Sequence, residues 1–339
     1  MSFRSLNKDV DIPISVIICA KNEGENLRKN LPIILKQDYP DFEVIVVNDC
    51  SQDDTDFVVS DLMKEHKNLR ITNIQPDRKF THGKKLAVTV GIKSAQNECL
   101  VLTDADCFPV SDNWLKRIAV NFTNNDIVLG YGGYKHGKGL LNLYIRYDTA
   151  FIAIQYLGFA RAGIPYMGVG RNLAYKKDVF FNNKGFASHY GLISGDDDLF
   201  INETANKKNT CIEIHPESHT RSEPKKKWGD FFNQKIRHYT TAHRYKPKHA
   251  FMLGFEPLMR LGFYVSFALL LAIQLYPIVV LSIFSLRLFL QIWLGIIIMR
   301  RLKDRKLVFL LPFFDVLSIL INLLLLLSST IRVRKQRWN

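Results

Sequence analysis

The sequence predicts an α/β domain with a mostly parallel sheet and helices on both faces, followed by an α-helical membrane region. Up to about His249, the apolar residues come in short bursts, and in the first half of this part strand-like runs and helix-like spacing alternate about four times. Such alternation predicts right-handed crossovers and a doubly wound sheet. From Phe251 onward the apolar residues come in long runs, which is the pattern of membrane segments.

The first two predicted strands each end in polar residues. Ile14–Ile18 is a continuous apolar run that leads into Cys-Ala-Lys-Asn-Glu at residues 19–23, and Glu43–Val47 leads into Asn48 and Asp49. Ligands of open α/β sheets bind outside the carboxyl ends of the strands. These polar residues are therefore candidates for contact with a ligand.

The end of the fourth predicted strand gives the strongest indication of a ligand-binding site. A third strand is predicted at Leu69–Ile74, and the fourth begins at Leu100 and ends abruptly at Asp104 and Asp106. Two carboxylates one residue apart at a sheet edge can hold a hard divalent cation, which in turn holds phosphates. A solvated acidic turn is the alternative for an Asp-x-Asp motif taken alone.

A nicotinamide-binding domain is the obvious competitor for this fold. It requires Gly-x-Gly-x-x-Gly directly after the first strand, where the glycines allow close approach of the pyrophosphate. Residues 19–24 read Cys-Ala-Lys-Asn-Glu-Gly and lack that spacing. The sequence therefore disfavours a dinucleotide cofactor.

The second half of the domain contains a long apolar segment and a glycine-rich loop. Leu140–Phe159 is apolar but is interrupted by Arg146 and Asp148, which predicts a buried or membrane-facing helix of the domain. The loop at residues 168–172 precedes a short strand, Leu173–Tyr175. The loop is either a plain turn or a substrate-facing loop, and its position before a second acidic cluster favours the latter.

The second acidic cluster is Gly195-Asp-Asp-Asp198, which opens a predicted helix. Carboxylates at a helix N-terminus interact favourably with the helix dipole, so a structural role is one interpretation. The other is that one carboxylate is a general base, directed into a cleft beside the metal site.

The predicted domain boundary lies at residue 250. Residues 1–250 are predicted to form the domain that contains the candidate site. This domain includes a basic amphipathic helix near residues 228–243 that is expected to lie on the membrane. Residues 251–339 form the membrane region, with embedded segments at about 258–276, 278–299 and 307–330.

The net charge of +14 is concentrated beside the apolar segments. Lys225–Lys248, Arg300–Lys306 and Arg332–Arg337 hold much of the excess, which favours contact with an anionic cytoplasmic leaflet over nucleic acid. Met1–Asp11 shows no apolar signal-peptide core, so the domain is expected in the cytosol. Five cysteines without a Cys-x-x-Cys pair indicate reduced thiols.

The positive-inside rule leaves the topology open. Arg300–Lys306 and Arg332–Arg337 both favour the cytoplasmic side, yet one apolar segment separates them. Either the last segment is re-entrant or interfacial, or the first long run spans the membrane only once.

The order of these motifs resembles that of a family 2 glycosyltransferase with a GT-A fold and a C-terminal membrane anchor. The resemblance covers about Pro13 to His243. The matching segments are Ile17–Glu23, Asn48–Thr55, Gly83–Lys85, Asp104–Asp106, Asp196–Asp197 and Gln234–Arg237. Asn48 and Cys50 depart from the usual Asp and Gly, and His238 replaces the Trp of the Gln-x-x-Arg-Trp motif.

The resemblance implies a role for each matching position. Asp197 is the expected catalytic base, with Asp196 and Asp198 as neighbours that leave the register open. Asp106 and Asp104 are the expected ligands of Mg²⁺ or Mn²⁺. The expected nucleotide-sugar contacts are Ala20, Asn22, Glu23, Asp49, Lys84, Lys85, Asp104, Ala105, Gly170, Asn172, Gln234, Arg237 and His238.

The expected activity is inverting transfer of a single sugar from a nucleotide sugar, with UDP favoured, to a lipid or lipid-linked acceptor. The missing Trp and the few membrane segments disfavour the alternative, a processive polysaccharide synthase. A non-catalytic nucleotide-sugar sensor or envelope scaffold is the rival from another class. The expected location is the cytoplasmic membrane, specifically a bacterial inner membrane, with the catalytic domain facing the cytosol and no nucleic-acid partner.

Overall fold

The computed structural model describes residues 10–75, 83–192, 194–239 and 241–336. The chain forms two compact units. The first comprises Met1–Lys135 and Ile152–Pro224, and the second comprises His136–Phe151 and Lys225–Asn339. The predicted domain boundary at residue 250 stays a prediction.

Short strands and helices alternate through the first unit, as the apolar pattern predicts. The strands are β1 (Ile14–Ala20), β2 (Phe42–Asp49), β3 (Leu69–Ile74), β4 (Cys99–Asp104), β5 (Cys107–Pro109), β6 (Ile127–Gly130), β7 (Gly132–Tyr134), β8 (Leu173–Lys176), β9 (Thr210–Glu213) and β10 (Thr220–Ser222). The helices are α1 (Gly24–Leu35), α2 (Thr55–Met63), α3 (Lys84–Ser94), α4 (Trp114–Phe122), α5 (Leu140–Arg161), α6 (Lys177–Asn182) and α7 (Asp198–Thr204).

The described strands form a seven-stranded mixed sheet in the order β3-β2-β1-β4-β8-β6-β9. β1 pairs in parallel with β2 and β4, β2 with β3, and β6 with β9, while β8 runs antiparallel to both of its neighbours. A second, three-stranded sheet has the order β5-β10-β7. The predicted fold class, a mostly parallel α/β sheet of the GT-A type followed by apolar helices, is confirmed.

The parallel register brings the polar strand ends to one edge. Ala20 pairs with Asn48, and Cys19 pairs with Asp104. The strands themselves are buried on both faces, with Val16, Val46 and Val101 fully inaccessible. This burial explains the continuous apolar runs, because helices cover both faces of a parallel sheet.

Helix α3 approaches the sheet closely because Gly91 has no side chain. A Cβ on Gly91 would lie 2.5 Å from Ile17 Cγ2 and 3.0 Å from Val47 Cγ2. This contact places the start of α3, and with it Lys84, beside the carboxyl edge of β1.

The second unit contains the beginning of α5 and the apolar helices. The further helices are α8 (Trp228–Tyr239), α9 (Pro247–Ala272), α10 (Pro277–Arg301) and α11 (Leu311–Gln336). Within the described residues, three helical segments are long and apolar enough to cross a membrane: Pro247–Ala272, Pro277–Arg301 and Arg305–Leu325.

The helix bounds differ from the predicted membrane segments at 258–276 and 307–330. Helix α9 begins at Pro247, a residue favoured in the first helical turn, and ends at Ala272. Gln274 and Tyr276 then adopt positive φ, which breaks the run before Pro277 as the sequence suggested. The third segment begins with a 3₁₀ helix, Arg305–Leu310.

The two charged residues that interrupt the apolar helix α5 each have a partner of opposite charge. Arg146 Nε donates to Asp304 at 2.8 Å, and Lys235 forms an ion pair with Asp148. These partners explain why α5 tolerates two charges within an apolar run, since a buried charge is costly unless it is paired.

A second polar group joins three apolar helices. The Asp315 carboxylate of α11 lies 3.0 Å from Arg260 Nη1 of α9 and 2.6 Å from Arg287 Nη2 of α10. Tyr264 Oη donates to the same carboxylate at 2.6 Å. Arg287, which interrupts the second predicted membrane segment, is therefore neutralised by a carboxylate from the third.

Candidate active site

The two acidic clusters of the first unit meet at the amino group of Lys84. Lys84 Nζ lies 2.8 Å from Asp104 Oδ1 at the end of β4 and 3.0 Å from Asp196 Oδ2. Because Lys84 opens α3, the helix start supplies the cation that holds these carboxylates together. A cleft at this edge is lined by Ile17, Cys19, Lys84, Val88, Leu102, Thr103, Asp104, Gly170, Asp196 and Asp197.

The Asp-x-Asp motif forms a candidate metal site. Ligand atoms of Asp104, Asp106 and Cys107 lie within 4.8 Å of one another. Burial raises the pKa of the Cys107 thiol well above its ordinary value, and the neighbouring carboxylates raise it further. Cys107 therefore stays protonated, and its thiol donates to Asp106 Oδ1 at 3.3 Å. The remaining potential metal ligands are the carboxylate oxygens of Asp104 and Asp106, which suit Mg²⁺ or Mn²⁺.

Asp197 is held on the other side of the cleft by two backbone N–H groups. Gly170 N donates to Asp197 Oδ2 at 2.7 Å, and Asp198 N donates to Asp197 Oδ1 at 2.8 Å. Asp197 is the residue that precedes α7, so the helix N-terminus orients its carboxylate. The second cluster thus reaches the glycine-rich loop that the sequence suggested as substrate-facing.

Adjacent carboxylates of this cluster have opposite pKa shifts. Burial raises the pKa of Asp197 to about 7, and the charges of Asp196 and Asp198 contribute in the same direction. Burial also disfavours the charged form of Asp196, but its ion pair with Lys84 outweighs this effect and lowers its pKa. Burial would lower the pKa of Lys84, yet the surrounding carboxylates raise it. Lys84 and Asp196 are therefore both charged near neutral pH.

The third acid, Asp198, is buried in the first turn of α7. Its Oδ1 accepts from Leu199 N at 2.8 Å. This contact matches the structural interpretation of an acidic residue at a helix start.

Each residue of the loop at Gly170–Asn172 is anchored. The carbonyl oxygen of Arg171 accepts from the Thr103 and Thr220 hydroxyls at 3.1 and 2.9 Å. Asn172 Nδ2 donates to the carbonyl oxygens of Tyr131 and Ser218 at 2.9 and 2.8 Å, and Asn172 Oδ1 accepts from Trp114 Nε1 at 3.1 Å. The Asn172 side chain is buried and saturated by protein partners, so it braces the loop.

The predicted nucleotide contacts at the first strand end are connected to the loop after β2. Asn22 Oδ1 accepts from Gln52 N at 2.8 Å, and Glu23 N donates to Thr55 Oγ1 at 3.0 Å. Asn22 has a φ of 56°, a conformation that asparagine tolerates better than most residues. These bonds join the first two strand ends into one rim.

Asp49 and Ala20 end their strands at this rim. Asp49 lies 3.8 Å from Lys21 Nζ, and its side chain is nearly inaccessible. Ala20 is buried at the end of β1. Both residues end at the edge where a ligand of this fold class would lie, but both are buried, so their contact with a nucleotide stays a prediction.

Lys85 and Ala105, two other predicted nucleotide-sugar contacts, form hydrogen bonds within the protein. Lys85 Nζ donates to the carbonyl oxygens of His189 and Leu192 at 2.5 and 3.0 Å. The carbonyl oxygen of Ala105 accepts from Asn30 Nδ2 at 3.0 Å. Lys85 therefore ties α3 to the chain before the second acidic cluster, and Lys84 is the lysine that lines the cleft.

Gln234, Arg237 and His238 lie on α8, which belongs to the second unit. Their contribution to the site stays a prediction. Arg171 lies between the predicted positions Gly170 and Asn172 and was not itself among the predicted contacts. An arginine in a glycine-rich loop before an acidic cluster was the available signal.

Comparison with known proteins shows which family and fold the chain resembles. Residues 15–181 match the family model for glycosyl transferase family 2. The mannosyltransferase PcManGT of Pyrobaculum calidifontis, solved with GDP-Man and Mn²⁺, has the same fold, with a TM-score of 0.56 and 18% identity over 93% of this chain and 91% of that chain.

Two curated relatives are glycosyltransferases. Glycosyltransferase AglE of Haloferax volcanii is 32% identical over 190 residues, covering 54% of this chain and 58% of the relative. The poly-beta-1,6-N-acetyl-D-glucosamine synthase of Staphylococcus epidermidis is 33% identical over 93 residues, covering 27% of this chain and 21% of the relative. The chain thus spans less than two thirds of the length of these relatives.

The GT-A fold and these matches indicate the family of proteins that this chain resembles. Residues 15–181, about half of the chain, are similar in sequence to glycosyl transferase family 2. Asp104 and Asp106 lie within the residues that match the family model, whereas Asp196, Asp197 and the helix α8 lie beyond them.

The bracing role of Asn172 predicts a large loss of stability in Asn172→Ala. The substitution leaves Trp114 Nε1 and the Ser218 carbonyl oxygen without their bond to Asn172, while the Tyr131 carbonyl oxygen keeps its bond from Thr220 N, so the free energy of unfolding should fall by about 2–4 kcal/mol. Thermal or denaturant unfolding of the detergent-purified protein measures this. The matched control is Asn73→Ala, which removes an exposed bond to Asp56 and should cost no more than about 0.5 kcal/mol. Unchanged stability together with lost nucleotide affinity would instead indicate that Asn172 contacts the nucleotide sugar.

Proposed function

We propose that this protein transfers a single sugar, with inversion, from a nucleotide sugar to a lipid or lipid-linked acceptor at the cytosolic face of a membrane. The observation that carries the proposal is the hydrogen bond from Gly170 N to Asp197 Oδ2. It holds a carboxylate with a raised pKa in the cleft that Asp104 also lines. One cleft thereby contains a candidate base and a candidate diphosphate site.

The donor end of the cleft is assigned to the Asp-x-Asp motif. Asp106 is the expected direct ligand of a Mg²⁺ or Mn²⁺ ion, and Asp104 is a second ligand that also faces the nucleotide. A bound divalent ion neutralises the charge of a leaving diphosphate. A UDP-linked donor is favoured by the family resemblance, and Asp49 and Glu23 at the strand ends are the proposed contacts of the uridine.

The acceptor end is assigned to Asp197. The acceptor hydroxyl gives its proton to Asp197, and its oxygen attacks the anomeric carbon from the face opposite the nucleotide. The bond from that carbon to the diphosphate oxygen breaks, and the nucleoside diphosphate leaves with the electron pair. A single displacement of this kind inverts the anomeric configuration.

The contacts favour Asp197 over its neighbours as the base. Asp196 is committed to Lys84, which lowers its pKa and its basicity. Asp198 is committed to the first turn of α7. A general base works best when its pKa lies near the operating pH, which the raised pKa of Asp197 satisfies.

The membrane region supports a lipid or lipid-linked acceptor. The basic aromatic helix α8 belongs to the same unit as the apolar helices, and Tyr239 Oη of α8 donates to Asn322 Oδ1 of α11 at 3.1 Å. His238 replaces the Trp that the family's processive synthases carry near the acceptor, which favours single transfer. Processive synthesis remains the alternative, since one relative is a polysaccharide synthase.

A donor panel tests the proposed activity. The full-length protein in detergent is supplied with Mn²⁺ or Mg²⁺, a membrane lipid extract, and UDP-linked sugars with GDP-mannose as a further donor. Released nucleoside diphosphate and the mass of the lipid products are measured. We expect metal-dependent release with one donor, and a product one sugar heavier than the acceptor.

Two outcomes would contradict this expectation in different ways. A ladder of long chains would identify a processive synthase. Nucleotide binding without turnover of any donor would favour the sensor or scaffold.

Removing the proposed base should separate binding from turnover. Asp197→Asn keeps an acceptor for the Gly170 N–H group but cannot take a proton, so turnover should fall by about 10²–10⁴. UDP affinity, measured by titration calorimetry, should stay close to that of the unmodified protein.

Asp198→Asn is the matched control for Asp197→Asn. It changes the neighbouring carboxylate and should retain most of the turnover, because an amide oxygen can still accept from Leu199 N. Full activity of Asp197→Asn would show that Asp197 is not the base. A larger loss of turnover in Asp198→Asn would assign the base to Asp198 instead.

The proposed orientation predicts an asymmetric response to protease. In a bacterial expression host, the residues before 225 should be protected in intact spheroplasts and cleaved in inverted membrane vesicles. Antibody detection of a tag at the N-terminus measures both. Cleavage in intact spheroplasts would place the catalytic domain on the opposite side.

A further inference from the structure

Arg171 is a cation at the candidate site that none of the roles above uses. It lies in the short 3₁₀ helix between Gly170, which contacts Asp197, and Asn172, which braces the loop. A Cβ on Gly170 would lie 3.0 Å from Lys84 Nζ and 3.8 Å from Asp104 Oδ1. Arg171 is therefore next in sequence to the point where the two acidic clusters meet.

The backbone at Arg171 is fixed by hydroxyl groups from two elements. Thr103 at the end of β4 and Thr220 of β10 both donate to its carbonyl oxygen. Since both flanking residues are anchored as well, the position from which the side chain extends is set by the fold.

The guanidinium of Arg171 has few partners among the described residues. Its carbon lies 4.5 Å from the centre of the Tyr134 ring, a cation–π contact. Nη1 donates to the carbonyl oxygen of Gly133 over a long 3.4 Å. A guanidinium has five N–H donors, so most of them are left for a ligand.

The charges around Arg171 are those of the candidate metal site. Burial alone would lower the pKa of its guanidinium, but Tyr134, Cys107 and the carboxylates of Asp104 and Asp106 raise it. The group is thus a permanent cation beside the Asp-x-Asp motif. Tyr134 stacks against one side of it and helps to restrict its orientation.

The chemistry of this group selects its ligand. A guanidinium presents paired N–H donors that match phosphate oxygens, and charge-assisted bonds of this type are strong. In the proposed function, a diphosphate would lie at Asp104 and Asp106. We propose that Arg171 binds a phosphate oxygen of the donor diphosphate and stabilises the charge that develops when it leaves. This inference rests on the proposed function.

Nucleotide affinity tests the inference independently of turnover. The full-length protein and Arg171→Gln are titrated in detergent with UDP in the presence of Mn²⁺, and with uridine, which has no phosphate. We expect the dissociation constant for UDP to rise about ten- to hundredfold in Arg171→Gln and that for uridine to stay unchanged. Arg171→Lys should recover part of the UDP affinity, because the ammonium keeps the charge but loses the planar fork.

The matched control is Arg28→Gln. It removes one arginine of the same unit, exposed on α1 and paired with Asp54. Its affinity for UDP should equal that of the unmodified protein. Thermal unfolding of all three variants shows whether each is folded, and the comparison of UDP with uridine stays informative if Arg171→Gln is destabilised.

Several results would overturn the inference. Unchanged UDP affinity in Arg171→Gln would do so, and so would an equal loss for UDP and uridine, which would indicate a general change of the site. Unchanged UDP affinity with a raised KM for the nucleotide sugar would assign Arg171 to the sugar. A raised KM for the acceptor alone would assign it to an acceptor phosphate.

The failure of the inference and that of the proposed function are distinguishable. If the unmodified protein turns over a donor while Arg171→Gln keeps its UDP affinity, only the inference fails. If the unmodified protein binds UDP without turnover, the proposed function fails, and the loss of affinity in Arg171→Gln still identifies a diphosphate site.

Discussion

Parallel pairing of β1 with β2 and β4 is the constraint on which the candidate site depends. Because paired parallel strands run in one direction, their carboxyl ends meet at one edge, where Cys19 pairs with Asp104 and Ala20 with Asn48. Helices on both faces bury the strands, so the residues that follow them provide the accessible surface at this edge. The polar residues after each strand are thereby collected from positions far apart in the chain.

Collecting acids at one edge creates an electrostatic cost that the fold must offset. Asp104, Asp196 and Asp197 would repel one another, and burial would raise the pKa of Asp196 and Asp197. Lys84 lies between two of them, and the N–H groups of Gly170 and Asp198 stabilise the third. This distribution leaves Asp196 firmly ionised and Asp197 with a raised pKa, so neighbouring aspartates differ in basicity.

In the second unit, buried charges are likewise offset by partners of opposite charge. Its apolar helices contain arginines and aspartates that would be costly if left alone in hydrocarbon. Asp315 is shared by Arg260 and Arg287, and Asp304 is paired with Arg146. Pairing charges from different helices also restricts how those helices pack, because sliding one helix by a single turn would separate its charge from its partner.

The alternation of apolar runs and helix-like spacing was sufficient to predict the α/β fold and the polar strand ends, since local patterns decide these. β3 was predicted with its observed bounds, and the break before Pro277 was anticipated. The same patterns did not show that β8 runs antiparallel to both neighbours, because pairing direction depends on contacts remote in sequence. Nor did they separate the roles of Lys84 and Lys85, whose neighbouring positions on α3 direct them to different partners.

The sequence by itself determined the fold class, the acidic motifs and the resemblance to family 2 glycosyltransferases, because apolar periodicity and motif order are local properties. Only the tertiary structure decided which side chains have partners within the protein and which face the cleft. Asn172, predicted as a nucleotide-sugar contact, has three hydrogen bonds within the protein, while most guanidinium N–H groups of its neighbour Arg171 have no partner among the described residues. The physical reason is that hydrogen-bond saturation depends on groups from β4, β10 and the chain around Tyr131, which meet at this loop only after folding.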